Sequence, residues 1–146
     1  MVDRDILLSK TDSIQRALKR IRNVTRLDPN ALDDLDKQDI FVLNLQRAIQ
    51  STIDLASHVV ASENLGLPDT VKGYFQLLES AGILSKSLAQ KMQAMTGFRN
   101  IAVHEYEKLN LQIVKSILVK NLKDLEEFYS AILKHYKLGL QPGQTE

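Results

Sequence analysis

The stretch "DIFVLNLQRAIQSTIDLASHVVASEN", residues 39–64, decides the fold class. Phe41, Val42, Leu45, Ala48, Ile49, Ile53, Ala56, Val59 and Val60 recur at spacings of three and four and fill more than one stripe of a helix. A helix that is apolar on several sides needs neighbours on several sides. This segment therefore reads as the central helix of an all-helical domain. Gly66 and Pro68 close it.

Working outward, residues 3–24 place Leu7, Ile14, Leu18, Ile21 and Val24 at helical spacing, with Arg16, Lys19, Arg20 and Arg22 mostly on the other side. "TRLDPNALDDLDKQD" interrupts the pattern. Pro29 ends or restarts a helix, and Asp33, Asp34, Asp36 and Asp39 gather where carboxylates complement a helix dipole. "TVKGYFQLLESAG" supplies a short helix with Gly82 as its C-terminal cap. Ser87 and Gln90 fit a capping box that opens a fourth helix, with Leu88, Met92, Met95 and Ala102 facing inward. A last long helix is expected from about Leu109 to Tyr136, through Leu111, Val114, Leu118, Leu122, Leu125, Tyr129 and Ile132.

No segment alternates with period two, and short connectors separate the helical patterns. The expected architecture is one all-α domain over residues 1–138, an up-and-down bundle of four to five helices, followed by a frayed tail at 139–146. A chain of 146 residues fits a single core. Nineteen Lys and Arg against eighteen Asp and Glu leave a formal charge of +1, so contact with nucleic acid must come from a local patch. The chain has no cysteine, which excludes disulfides, thiolate catalysis and the common zinc modules. "MVDRDILLSK" is acidic where a signal peptide is basic, and no apolar run reaches the ~20 residues that cross a bilayer. A cytoplasmic protein without a membrane partner is expected.

The chemistry concentrates in "GFRNIAVHEY", residues 97–106. Arg99 offers a planar fork of donors to phosphate oxygens, His104 exchanges protons near neutral pH, and Tyr106 can donate to a bridging oxygen or accept a modification. Five residues separate Arg99 from His104, roughly 140° around a helix. A helix that ends near His104 lets the long arginine reach along its last turn. Such a set suits attack of a ribose 2′-hydroxyl on the adjacent phosphorus with no metal and no cofactor, although Glu105 and Glu107 keep a metal reading open.

One chain supplies one such histidine, whereas in-line cleavage benefits from an acid and a base. A two-fold homodimer would bring a second Arg99 and His104 to one groove. On spacing alone a bland alternative stands beside this: a salt bridge for Arg99, C-terminal carbonyls for His104, and a core-edge position for Tyr106.

The motif "RNIAVHEY" resembles the R-x-x-x-x-H-x-Y signature of the HEPN superfamily, in its HepT-like branch of toxins paired with minimal nucleotidyltransferase antitoxins. "DLASHVVASENLGLP", "YFQLLESAGILSKSLAQKMQAMTGFRN" and the final helix follow in the order of that family, so the resemblance spans about residues 39–136. It implies a dimerising helical bundle and a metal-independent endoribonuclease acting on RNA. It also implies a cognate nucleotidyltransferase that transfers AMP to Tyr106, with Arg99 stabilising the phosphate, His104 moving the proton and Asn100 orienting or contacting it. Two further readings remain: a noncatalytic HEPN subunit that presents substrate or nucleotide to a nucleotidyltransferase, and a structural bundle whose motif holds a dimer.

Other residues carry two readings each. Asp54 and His58, four apart, form either a carboxylate and imidazole pair or ordinary packing contacts, the latter preferred. Gly97 either permits close approach of a backbone or RNA or satisfies a packing constraint. The basic row Arg16, Lys19, Arg20 and Arg22 is either a solvated face, which is favoured, or a guide for RNA. The aspartates at 33–39 serve solvation and capping or meet a basic antitoxin surface. Met92 and Met95 read as core, and His135 as a complement to a helix C-terminus.

Overall fold

The computed structural model describes residues 2–99 in full, the backbone of 100–104, and residues 110–139. Within them the chain forms helices α1 (Arg4–Thr25), α2 (Leu35–Ser62), α3 (Val71–Ser80), α4 (Lys86–His104), α5 (Leu111–Lys120) and α6 (Leu122–His135). A short 3-10 helix, Pro29–Asp33, joins α1 to α2.

Each start has a local cause. The Asp3 carboxylate accepts from the Asp5 and Ile6 amides, Asp34 does the same for Asp36 and Lys37, and Asn110 for Gln112 and Ile113. Of the acidic run, Asp34 caps α2, Asp36 lies in its first turn and Asp33 pairs with Lys115 at 2.7 Å. Capping and packing thus account for these three. At the end of α3, Gly82 takes φ +77°, and Ile83 donates back to the Leu78 carbonyl at 3.0 Å.

α2 is the axis of the bundle. α1 packs along much of its length, while α3, α4 and α6 meet its other sides. Leu45, Ala48, Leu55, Ala56 and Val59 are fully buried on α2, and Leu7, Ile14 and Ile21 face them from α1. Phe75 and Phe128, both fully buried, close the core edge to face, with ring centroids 5.6 Å apart. Such a pair adds about 1 kcal/mol beyond its area burial.

Three sequence expectations change. The fourth helix starts at Lys86 because Ser85 is its cap, its hydroxyl accepting from the Leu88 amide at 3.1 Å, so the Ser87 capping box is not the start. α2 begins four residues earlier than Asp39, at Leu35. The single final helix is two, which raises the count to six α-helices among the described residues. The break falls at Asn121, whose side chain donates to the Asp124 carboxylate at 3.0 Å and so offers the backbone a local alternative to a continuous helix. Tail residues 140–146 lie outside the described residues.

Candidate functional site

Arg99 is set on α4 by the packing of that helix's other face: Ala89, Met92, Met95 and Phe98 are buried in the core. The guanidinium therefore emerges at the edge of the bundle against α2. There its Nη2 donates to Gln50 Oε1 at 2.8 Å. The Gln50 amide nitrogen donates in turn to Asp54 Oδ1 at 2.9 Å, and Lys10 of α1 donates to Asp54 Oδ2 at 3.1 Å. Lys10, Asp54, Gln50 and Arg99 thus form one chain across three helices.

The chemistry fixes the direction of that chain. A guanidinium has only donors and a carboxylate only acceptors, so the amide between them satisfies both in a single orientation. Gln50 and Asp54 are one turn apart on α2, which lets both side chains lie on the same face. The Lys10 and Asp54 side chains are 36% and 38% exposed, so that ion pair contributes at most about 1 kcal/mol. Its role is geometric: it occupies the second carboxylate oxygen and leaves the first for Gln50.

The Asp54 and His58 pair does not form. Both Asp54 oxygens are taken, and His58 Nε2 accepts from the Asp3 backbone amide at 3.1 Å, tying the start of α1 to α2. These are helix-packing contacts, but the one at Asp54 supports Arg99. Gln50 and Lys10 were not singled out by sequence reasoning.

α4 is helical through His104, which places the backbone positions of Arg99 and His104 roughly 140° apart around its axis. The side chains of Asn100 and His104, and Tyr106 with Glu105 and Glu107, lie outside the described residues. Among the described residues no group of three or more His, Asp or Glu side chains is placed to hold a metal. An added Cβ at Gly97 would meet nothing within 4 Å, so no contact within the described chain requires glycine there.

The basic row also resolves. Arg22 is committed to Glu126 of α6, and Arg16 pairs with Asp12 at 3.0 Å on the exposed side of α1. No helix among the described residues is long and apolar enough to cross a membrane.

Residues 14–132 match the family model described as Ribonuclease HepT-like. The mRNA nuclease HepT of Shewanella oneidensis is 37% identical over 128 residues, covering 88% of this chain and 96% of that protein. A solved structure of the tri-AMPylated Shewanella oneidensis HEPN toxin in complex with an MNT antitoxin superposes with a TM-score of 0.85 at 36% identity, covering 90% of this chain and 99% of that one. YutE, a cytosolic protein of unknown function from Bacillus subtilis, has the same fold: TM-score 0.80 at 11% identity over 96% of each chain.

This all-helical bundle, with its Arg-x4-His-x-Tyr segment, is a HEPN domain. The chain belongs to the HepT-like ribonuclease family, the toxin side of HEPN/MNT toxin–antitoxin pairs.

Proposed function

We propose that this chain is an endoribonuclease toxin that cleaves RNA without a metal ion, in a cleft shared by two copies. The observation that carries this reading is Arg99, the first residue of the family signature, held at the bundle edge by an amide that is itself anchored by Asp54. A guanidinium fixed in this way arrives already oriented, so little side-chain entropy is lost when it meets a phosphate.

In this reading the ribose 2′-hydroxyl attacks the adjacent phosphorus, the bond to the 5′-oxygen of the next nucleotide breaks, and a cyclic phosphate forms. His104 of one copy takes the hydroxyl proton and His104 of the other returns a proton to the leaving oxygen. Arg99 balances the charge that gathers on the nonbridging oxygens, and Asn100 contacts the same phosphate. Gln50 is a positioning residue for Arg99.

The Shewanella oneidensis toxin is tri-AMPylated in its complex with an MNT antitoxin, and we assign the corresponding acceptor here to Tyr106. AMP on Tyr106 would set an anionic phosphate and a bulky nucleoside beside Arg99 and His104, excluding RNA by charge and shape. The partner is then a small nucleotidyltransferase, and the setting the cytoplasm.

The test is RNA cleavage in excess chelator by unmodified protein beside His104→Ala and Arg99→Ala, with dimerisation of each checked by light scattering. The parent should cleave and His104→Ala should lose about 10²- to 10⁴-fold while remaining a dimer. A dimeric, unmodified parent that cleaves no RNA would favour the noncatalytic subunit.

A further inference from the structure

Arg99 is approached along the surface by a groove of about 750 Å³ between α1 and α2. Arg16 and Arg20 line it from α1, and Arg47, Asn44 and Leu43 line it from α2. Gln50, the residue that holds Arg99, is also part of the lining. Arg47 and Gln50 are three apart on α2 and so share a face, which makes the groove continuous with the candidate site.

The charge of this groove is unbalanced. Arg16 has an exposed and therefore weak partner in Asp12, whereas Arg20 and Arg47 have no ion-pair partner among the described residues. Guanidinium groups converging from two helices repel one another, and folding alone gives no reason to gather them. An anion in the groove removes that repulsion. Arg16 and Arg20 lie four residues apart on α1, about 6 Å along the axis, a spacing that suits successive phosphates of an extended strand.

We infer that the groove between α1 and α2 binds the sugar-phosphate backbone of single-stranded RNA, through Arg20 and Arg47 foremost, and leads the strand to Arg99. The inference rests on the ribonuclease reading for its destination, but binding is measurable without cleavage. It also selects within the basic row: Arg20 joins with Arg47 of the second helix, while Arg22 belongs to the contact with α6.

The experiment uses the full chain in a His104→Ala background, with fluorescence anisotropy of a labelled single-stranded RNA at several salt concentrations. Arg20→Ala/Arg47→Ala is set beside a charge-matched control, Lys72→Ala/Lys134→Ala, which changes exposed lysines of α3 and α6. The groove variant should bind about tenfold more weakly at ~0.1 M salt, with a log–log salt slope shallower by about 1.4, the contribution of two single-strand phosphate contacts. The control should stay within about twofold of its parent, since its charges lie away from the groove.

Groove and control variants that bind alike would overturn the inference. So would a groove variant that binds RNA normally but loses its own dimer or a nucleotidyltransferase partner, since the groove would then be a protein interface. Weakened binding in the groove variant, together with no cleavage by the His104-intact parent, would leave the groove standing and remove the ribonuclease reading. Cleavage by that parent with unchanged binding in the groove variant would do the reverse.

Discussion

Two carboxylates, Asp124 and Asp54, each tie α4 to a neighbouring part of the bundle, and they do so differently. Asp124 is 2% exposed in the first turn of α6, where it accepts from Asn121 at 3.0 Å and faces Lys91 of α4 at 3.8 Å. Its second partner, Lys91, is half-exposed and also faces Glu127 of α6 at 4.0 Å, so this network stays between α4 and the first turns of α6. Asp54 is half-buried, and its network runs through Gln50 to Arg99 and opens on the groove. The first fixes where α4 lies, and the second fixes one side chain upon it. The Asp124 network joins two helices of the bundle, whereas the Asp54 network ties the signature arginine to Gln50, a residue that lines the groove.

The contrast breaks most visibly at Asp124. Asp124→Ala should cost about 2 kcal/mol, since the half-buried Asn121 amide loses its acceptor while the half-exposed Lys91 turns to water. The urea midpoint should fall, with RNA affinity per folded molecule unchanged. Gln50→Ala should give the opposite pattern: stability within about 1 kcal/mol of the parent and cleavage about tenfold slower, because Arg99 loses its orientation. If both variants lost stability and activity in parallel, the two networks would not be separable.

A smaller effect belongs to a third polar contact, remote from both. The Tyr136 hydroxyl donates to Glu63 Oε1 at 2.7 Å. Burial, and then the Glu63 carboxylate, raise its pKa well above the ordinary 10.0. The folded state thus holds this proton more tightly than the unfolded chain. The stabilisation is complete below about pH 10 and is lost progressively as pH rises further. Tyr136→Phe should cost about 1 kcal/mol near neutral pH and flatten the alkaline decline in thermal stability. Gly97, between Lys91 and Arg99, gives the smallest change. With open space where its Cβ would be, Gly97→Ala should raise stability by about 0.5–1 kcal/mol, read as a higher melting temperature.

The sequence made α2 legible because its apolar residues exceed a single stripe, and that excess alone implies a central helix. Arg99 drew attention in the sequence because a donor fork, an imidazole and a phenol within eight residues is an unusual grouping. Gln50 was not, because a glutamine one turn from an aspartate is ordinary. Its partner lies 49 residues away, and only the docking of α4 against α2 joins them. The break at Asn121 escaped for a related reason: Leu118, Leu122 and Leu125 keep helical spacing across it, with no glycine or proline to mark it. Ser85 was overlooked because serine followed by glutamine at 87–90 matches a stronger pattern than serine followed by leucine at 85–88, although the earlier hydroxyl receives the amide.

The most direct test of the central claim, that Gln50 acts by holding Arg99 for an RNA phosphate, is a double-mutant cycle. The rate of RNA cleavage in chelator would be measured for the parent, Gln50→Ala, Arg99→Ala and the double variant. The account predicts that removing Gln50 slows the parent about tenfold and has no further effect once Arg99 is absent. An equal loss in both backgrounds, or no cleavage by the parent, would contradict it.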